Sequence, residues 1–386
     1  LAVAMGAAVV IGMILGGAAA PTKLADAGDF VRWGLPLAKG VTYLGAAVAI
    51  GTLAFAAYAL SAKTEQLTKA MNLAALGAGI WTIFGAITLL FTYLSVTGTA
   101  FSTSETFGQS LWLFVTSIDL GRYLALNLLA GALLTVMALG FQSLTSALLL
   151  AALGLLGLVP LALTGHAAGA ANHAMAVNSI GLHLVAVTIW VGGLVALVVV
   201  RDPDAERQAN LVKRYSTLAL IAFMIVAASG IAIAVINLGK FENLFTPYGI
   251  LVILKIAALL LLGAIGGHYR YRLIGRLAST PAKAKEFWLI VMGELLVVGA
   301  AIGLGTALSR TAPPADPLAT FVPTPASILT GEPLPSELLP ITWFTAWKLD
   351  LLWLSISIGA IALYLFGVWR LKRRGDKWPV VRDRKS

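Results

Sequence analysis

Ten stretches of this chain run for about twenty residues with almost no charge, the length a helix needs to cross a bilayer's hydrocarbon core. They lie at 1–20, 36–60, 71–95, 119–140, 145–164, 178–200, 215–238, 248–268, 287–307 and 350–370. Lipid offers no partner to backbone N–H and C=O groups, so each stretch must close its hydrogen bonds internally, as an α-helix. The expectation is an all-α polytopic membrane protein of about ten transmembrane helices. Composition agrees: 59% of the residues are hydrophobic and 11% charged, against roughly 25% charged in a soluble domain. The first stretch is too long and too evenly apolar for a signal-peptide core and leads to no A-x-A site, so it reads as the remainder of a span beginning before Leu1. Segment 101–118 is shorter and more polar, and reads as an outer loop or an interfacial helix.

Lys and Arg crowd into one alternating set of connections: Lys63 and Lys69; Arg201, Arg207, Lys213 and Arg214; 270–285; and the tail from Arg370. Cytoplasmic loops hold this excess. The tail is therefore expected inside, and the segment around 165–177 outside, a multi-pass protein of the cytoplasmic membrane. The formal charge of +10 is then a topology signal and an attraction for anionic lipid, not a nucleic-acid footprint. The bilayer is the one partner that composition demands.

A Pro-rich stretch at 309–349 cannot hold a regular helix and reads as an extracytoplasmic connector. It separates the first nine spans from the tenth, in 350–386. No internal repeat is visible.

The chain has no Cys, which excludes disulfides, thiolate metal sites and CxxC redox chemistry. Neither a phosphate-binding loop, nor HExxH, nor GxSxG occurs, and the chain reads as a non-enzyme. A soft-metal site must then use the 4 His and 7 Met. His166, His173 and His183 fall in one hairpin, at the end of span five, in the connection, and a turn and a half into span six. The outer ends of neighbouring antiparallel spans lie close, so His166 and His183 are expected to converge. His173 and His183 share no helix face and meet only if the chain before span six bends. Met175 follows His173 by two, and imidazole with thioether suits copper as Cu(I) or Cu(II). The plainer role of an interfacial His is hydrogen bonding, and His268, at the opposite end of span eight, is read so. Lys255 and Glu294 are charged positions inside spans, costly and often functional. They stand at different depths, so no direct ion pair is expected. Asp119 and Arg122 read as a local helix pair, and Trp190 with Gly192 and Gly193 as helix packing.

Gly165-His166-Ala167, His183 and Trp190-Val191-Gly192-Gly193-Leu194 resemble the copper resistance D (CopD) family. So do Arg214-Tyr215-Ser216, Ser229-Gly230, Tyr248-Gly249, Lys255 and Glu294, in that order. The resemblance marks 141–308 as a CopD-like transmembrane domain and leaves 1–140 as helices of unassigned role. His166 and His183 match the family's paired His; His173 and Met175 rest on spacing and chemistry alone. Residues 343–386 resemble the first helix and basic tail of the CtaG-type cytochrome c oxidase assembly family, so the order of units is similar to an actinobacterial fusion of the two.

These resemblances imply a copper-binding protein at the outer face of the cytoplasmic membrane, for copper transport or resistance and copper supply to the oxidase. Oxidase subunits and periplasmic copper chaperones are the implied partners. Two other readings stand beside it: a haem-carrying cytochrome, because His on neighbouring spans can ligate haem, and a metal-free oxidase assembly partner.

Overall fold

The structure is a computed structural model that describes residues 1–21, 26–164, 173–268 and 281–314, together with 364, 367 and 369; of 173–175 and 281–285 it describes the backbone alone. Among the described residues there are ten α-helices and no strand. They are α1 (Ala2–Leu15), α2 (Asp29–Ala59), α3 (Glu65–Thr97), α4 (Glu105–Ser117), α5 (Asp119–Gly140), α6 (Leu144–Ala162), α7 (His173–Val199), α8 (Ala205–Leu238), α9 (Pro247–His268) and α10 (Pro281–Leu308). A 3-10 turn at Phe241–Phe245 joins α8 to α9. Eight of the ten, all but α1 and α4, are long and apolar enough to cross a membrane. The protein is thus an all-helical, polytopic membrane protein.

Two expected spans differ. Segment 1–20 forms a helix of 14 residues, about 21 Å at 1.5 Å per residue and short of a bilayer core. It stops at Gly16-Gly17, where Gly17 takes a positive φ of 72° that a side-chain-bearing residue resists. Segment 350–370 lies outside the described residues but for Tyr364, Gly367 and Trp369. Segment 101–118 yields α4, a peripheral helix of 13 residues whose one buried residue is Phe114, with Trp112 and Leu113 exposed.

Polar caps set the helix starts. The side chains of Thr64, Ser104, Ser143 and Asp204 accept the N–H of Leu67, Phe107, Ser146 and Arg207, satisfying donors that the first turn leaves free. Several helices therefore begin before their apolar stretch: α2 at Asp29, α3 at Glu65 and α8 at Ala205.

α2 is the central helix, touching α3, α6, α7 and α10. Small residues allow this. A Cβ at Gly51 would stand 2.5 Å from the Thr188 carbonyl oxygen and 2.6 Å from the Gly192 Cα, so the backbones of α2 and α7 nearly touch. In lipid, where apolar burial drives little association, such close van der Waals contact holds helices together. On the other flank Trp81 of α3 is fully buried. Its Nε1 donates to Asn127 Oδ1 of α5 at 2.9 Å, and Asn127 Nδ2 donates to the Gly157 carbonyl of α6 at 2.7 Å. Three helices are locked by one satisfied polar chain.

The α2–α3 and α7–α8 connections share one end of the bundle, the basic end. There Arg214 donates to the Ala59 carbonyl, Gln66 to Asp202, and Arg201 lies 3.9 Å from the centroid of Trp288. The opposite end carries α4, the end of α6 and the start of α7, the α8–α9 connection, and Arg310.

Candidate metal centre

Helix α7 carries the candidate ligands, and it starts at His173. His173 and Met175 thus lie on its first turn, not in a connection as the hydropathy pattern led us to expect. His183 lies ten residues further along the same unbroken helix, deeper than expected. That separation is about 15 Å along the axis and about 80° around it, so the backbone gives His173 and His183 no common ligand position. The side chains of His173 and Met175, and the whole of His166, lie outside the described residues. The end of α6 is nearby: Ala162 packs with Ala176 and Val177, about 10 Å along α7 from His183 at helical rise.

The surroundings of His183 are specific. Its imidazole is half-buried and reaches across to α8, with Nδ1 3.1 Å from Ser229 Oγ. Ser229 Oγ donates its one hydrogen to the Ile225 carbonyl at 2.6 Å, with the Val226 carbonyl at 3.2 Å. With that hydrogen turned to a carbonyl, the hydroxyl oxygen can accept from His183, an arrangement that suits the tautomer with its proton on Nδ1. Nε2 is then the lone-pair nitrogen, the one able to take a metal ion, with Ser229 holding the ring from behind. Gly230 stands against the ring: a Cβ there would lie 3.6 Å from His183 Cε1.

Lys255 of α9 is the charged neighbour whose field reaches His183. Its Nζ lies 3.6 Å from where a Cβ at Gly305 would sit, and Gly305 is one turn from the end of α10. A helical side chain leans towards its helix N-terminus, so Lys255 carries its ammonium towards the end of the bundle opposite the basic end, the snorkelling arrangement. Glu294 is buried, eleven residues from Gly305 and so about 16 Å further along α10. The two charged positions therefore stand at different depths. His268 ends α9 and is exposed. Asp119 and Arg122 pair at the start of α5. Trp190 is buried edge-on to Phe223 at 5.8 Å between centroids.

Among the described residues no three His, Asp or Glu side chains gather around one point. The structure therefore brings together His183, Ser229 and Lys255, and leaves Glu294 apart. Ser229 was not singled out as a partner of His183. Ser229 is the one polar residue in the apolar stretch 218–236 of α8, but nothing in the sequence says which helix it faces.

Two family models match the chain. One is described as copper resistance protein D-like, N-terminal domain, over residues 24–174; the other as copper resistance protein D, over 209–308. His166 falls in the first match and His183 between the two. The N-terminal match takes in α2, α3, α4 and α5, where the sequence alone showed no resemblance, and α6, which already lay in the CopD-like stretch. The copper transport protein CutJ of Bacillus subtilis (strain 168) is 31% identical over 144 residues, 35% of this chain and 26% of that protein. The match spans about a quarter of that relative's length. No solved structure matches the chain. Both copper resistance D models thus bear out the resemblance over 24–174 and 209–308, in a chain whose helices are laid out to cross a membrane.

Proposed function

We propose that this protein takes copper at the outer face of the cytoplasmic membrane and passes it into the bundle through His183, in copper transport or resistance. The orientation follows from the basic connections, which put the His166–His183 hairpin outside. The observation that carries the reading is the contact of His183 Nδ1 with Ser229 Oγ. Ser229 holds Nδ1, and Nε2 is left as a metal-ligating lone pair in a half-buried setting.

His166, His173 and Met175 are then the collecting ligands. His166 follows the end of α6 in sequence, and His173 and Met175 stand on the first turn of α7, about 12–15 Å along the helix from His183. Imidazole and thioether ligands suit copper, above all Cu(I), in which low coordination numbers are ordinary. Lys255 sets a limit on the site. A cation nearby disfavours the more highly charged metal ion, so Cu(I) is the form that His183 receives. Glu294, about 16 Å further along α10, is the buried polar group nearest to a continuation of the path. Supply of copper to cytochrome c oxidase, through oxidase subunits or copper chaperones, belongs to the CtaG-like stretch at 343–386.

The reading is tested by copper uptake into cells or sealed vesicles, comparing wild type with the His166→Ala, His183→Ala double variant at equal protein level. Uptake should fall to the background of the empty strain. Uptake unchanged by the double replacement overturns the assignment of these His.

A further inference from the structure

A second polar site lies in the α2–α3–α5–α6 bundle and shares no residue with the surroundings of His183. Lys39, Thr42 and Tyr43 of α2, Thr88 of α3 and Asn127 of α5 line a cavity of about 10 Å³. The hydrogen bonds around it can be followed to their ends. Thr42 Oγ1 donates to the Ala38 carbonyl at 2.8 Å, so Thr88 Oγ1, 3.0 Å away, donates to Thr42. Asn127 uses its carbonyl on Trp81 and one N–H on Gly157. The donors left over are the Lys39 ammonium and the Tyr43 hydroxyl, neither of which has a hydrogen-bond or ion-pair partner among the described residues. No carboxylate lines the cavity.

A second cavity, of about 20 Å³, lies towards the end of the bundle opposite the basic end, lined by Arg32, Arg310, Asp26 and Ser95 among others. Here the carboxylates are already committed. Arg32 pairs with Asp26 at 2.5 Å and with Asp29 at 2.6 Å. Arg310 reaches Ser95 at 3.3 Å and has no acidic partner among the described residues. The Nε atoms of Arg32 and Arg310 are both buried without a hydrogen-bond acceptor. Burial draws the Arg310 guanidinium below the usual arginine range, and its charge acts on Lys39. Two cations, Lys39 and Arg310, thus stand in each other's field, neither in an ion pair among the described residues, and the nearby Asp26 is taken by Arg32. An uncompensated buried charge is costly. A space of this size holds about one water-sized particle, and a halide is only slightly larger.

We propose that Lys39 and Tyr43 bind a single chloride-sized anion, which enters past Arg32 and Arg310. At the mouth Arg32 is neutralised by Asp26 and Asp29, so the Arg310 guanidinium is the group that draws the anion in. The ammonium and the phenol hydroxyl then supply the two charge-favoured donors inside.

The probe is chloride, titrated against gluconate at constant ionic strength, on the purified full chain in detergent. The readouts are the melting temperature and the line width of the chloride NMR signal. Wild type should show a saturable rise in Tm and line broadening reversed by bromide. Lys39→Met should weaken the apparent affinity roughly 10- to 100-fold, the loss of one charge-assisted hydrogen bond. Tyr43→Phe should weaken it less and Arg310→Gln should weaken it too; these two carry the test if Lys39→Met does not fold. Equal Tm in chloride and gluconate means that the cavity holds water only, and overturns the proposal. So does a halide effect that fails to saturate, or that survives both Lys39→Met and Tyr43→Phe.

Discussion

At the scale of single residues, the account turns on what Ser229 does to His183. A 3.1 Å contact would mean little if the hydroxyl could donate either way. With its hydrogen turned to the Ile225 carbonyl, the hydroxyl accepts from Nδ1 and Nε2 is the open nitrogen, which is the arrangement the account proposes. Outer partners of metal-bound His typically matter 10- to 100-fold in affinity. Ser229→Ala should therefore weaken copper binding about tenfold, while Ser229→Thr, which keeps the hydroxyl, should restore most of it. A competition titration with a copper chelator reads both. Equal affinity in wild type and Ser229→Ala would remove Ser229 from the site. Asn127 offers a contrast with no metal in it. Asn127→Leu leaves the buried Trp81 Nε1 without an acceptor and the Gly157 carbonyl without a donor, at about 1–3 kcal/mol for each. The variant should melt well below wild type, and unchanged melting would contradict the chain of bonds described. None of these pairings was legible in the sequence, because a hydrogen bond between residues 46 positions apart depends on which helix faces meet.

At the scale of elements, the sequence read well where one physical quantity dominates. Eight apolar stretches correspond to eight helices because lipid leaves the backbone no other way to satisfy its hydrogen bonds. Helix ends were less legible. α2, α3 and α8 begin six to ten residues before their hydropathy does, since caps such as Thr64 and Asp204 set the start while polar first turns hide it. His173 and Met175 likewise stand on α7 and not in a connection. The close crossing of α2 and α7 is testable at Gly192, where a Cβ would clash with the Ala47 carbonyl oxygen. Gly192→Leu forces the two backbones apart, and overpacking of this kind costs about 1–3 kcal/mol or more. Gly108→Ala, on the exposed face of α4 with nothing within 4 Å, should instead be neutral or stabilising by about 0.5–1 kcal/mol. Thermal melts of the two variants should move in opposite senses, and a Gly192→Leu protein as stable as wild type would contradict the crossing.

At the scale of the whole molecule, the N-terminal helices are an organised unit and not an appendage. α2 is the hub, and it meets α7 as closely as helices can. The sequence left 1–140 unassigned because packing helices carry no chemical motif; glycines at 45, 51 and 77 read as composition until their contacts are seen. The orientation proposed for the bundle has a clean test, because the chain has no native Cys. Ser102→Cys, beside α4, should react with a membrane-impermeant maleimide in intact cells, whereas Lys63→Cys should react only after permeabilisation. The reverse pattern would invert the bundle and put the His hairpin inside.

The most direct test of the central claim is the copper content of the purified full chain after loading with Cu(I) and washing, with an absorption spectrum of the same sample. Wild type should retain copper, the His166→Ala, His183→Ala variant should lose it, and neither should show a Soret band. Wild type that emerges without copper, copper that stays in the double variant, or a Soret band that vanishes when His183 is replaced would each contradict the account.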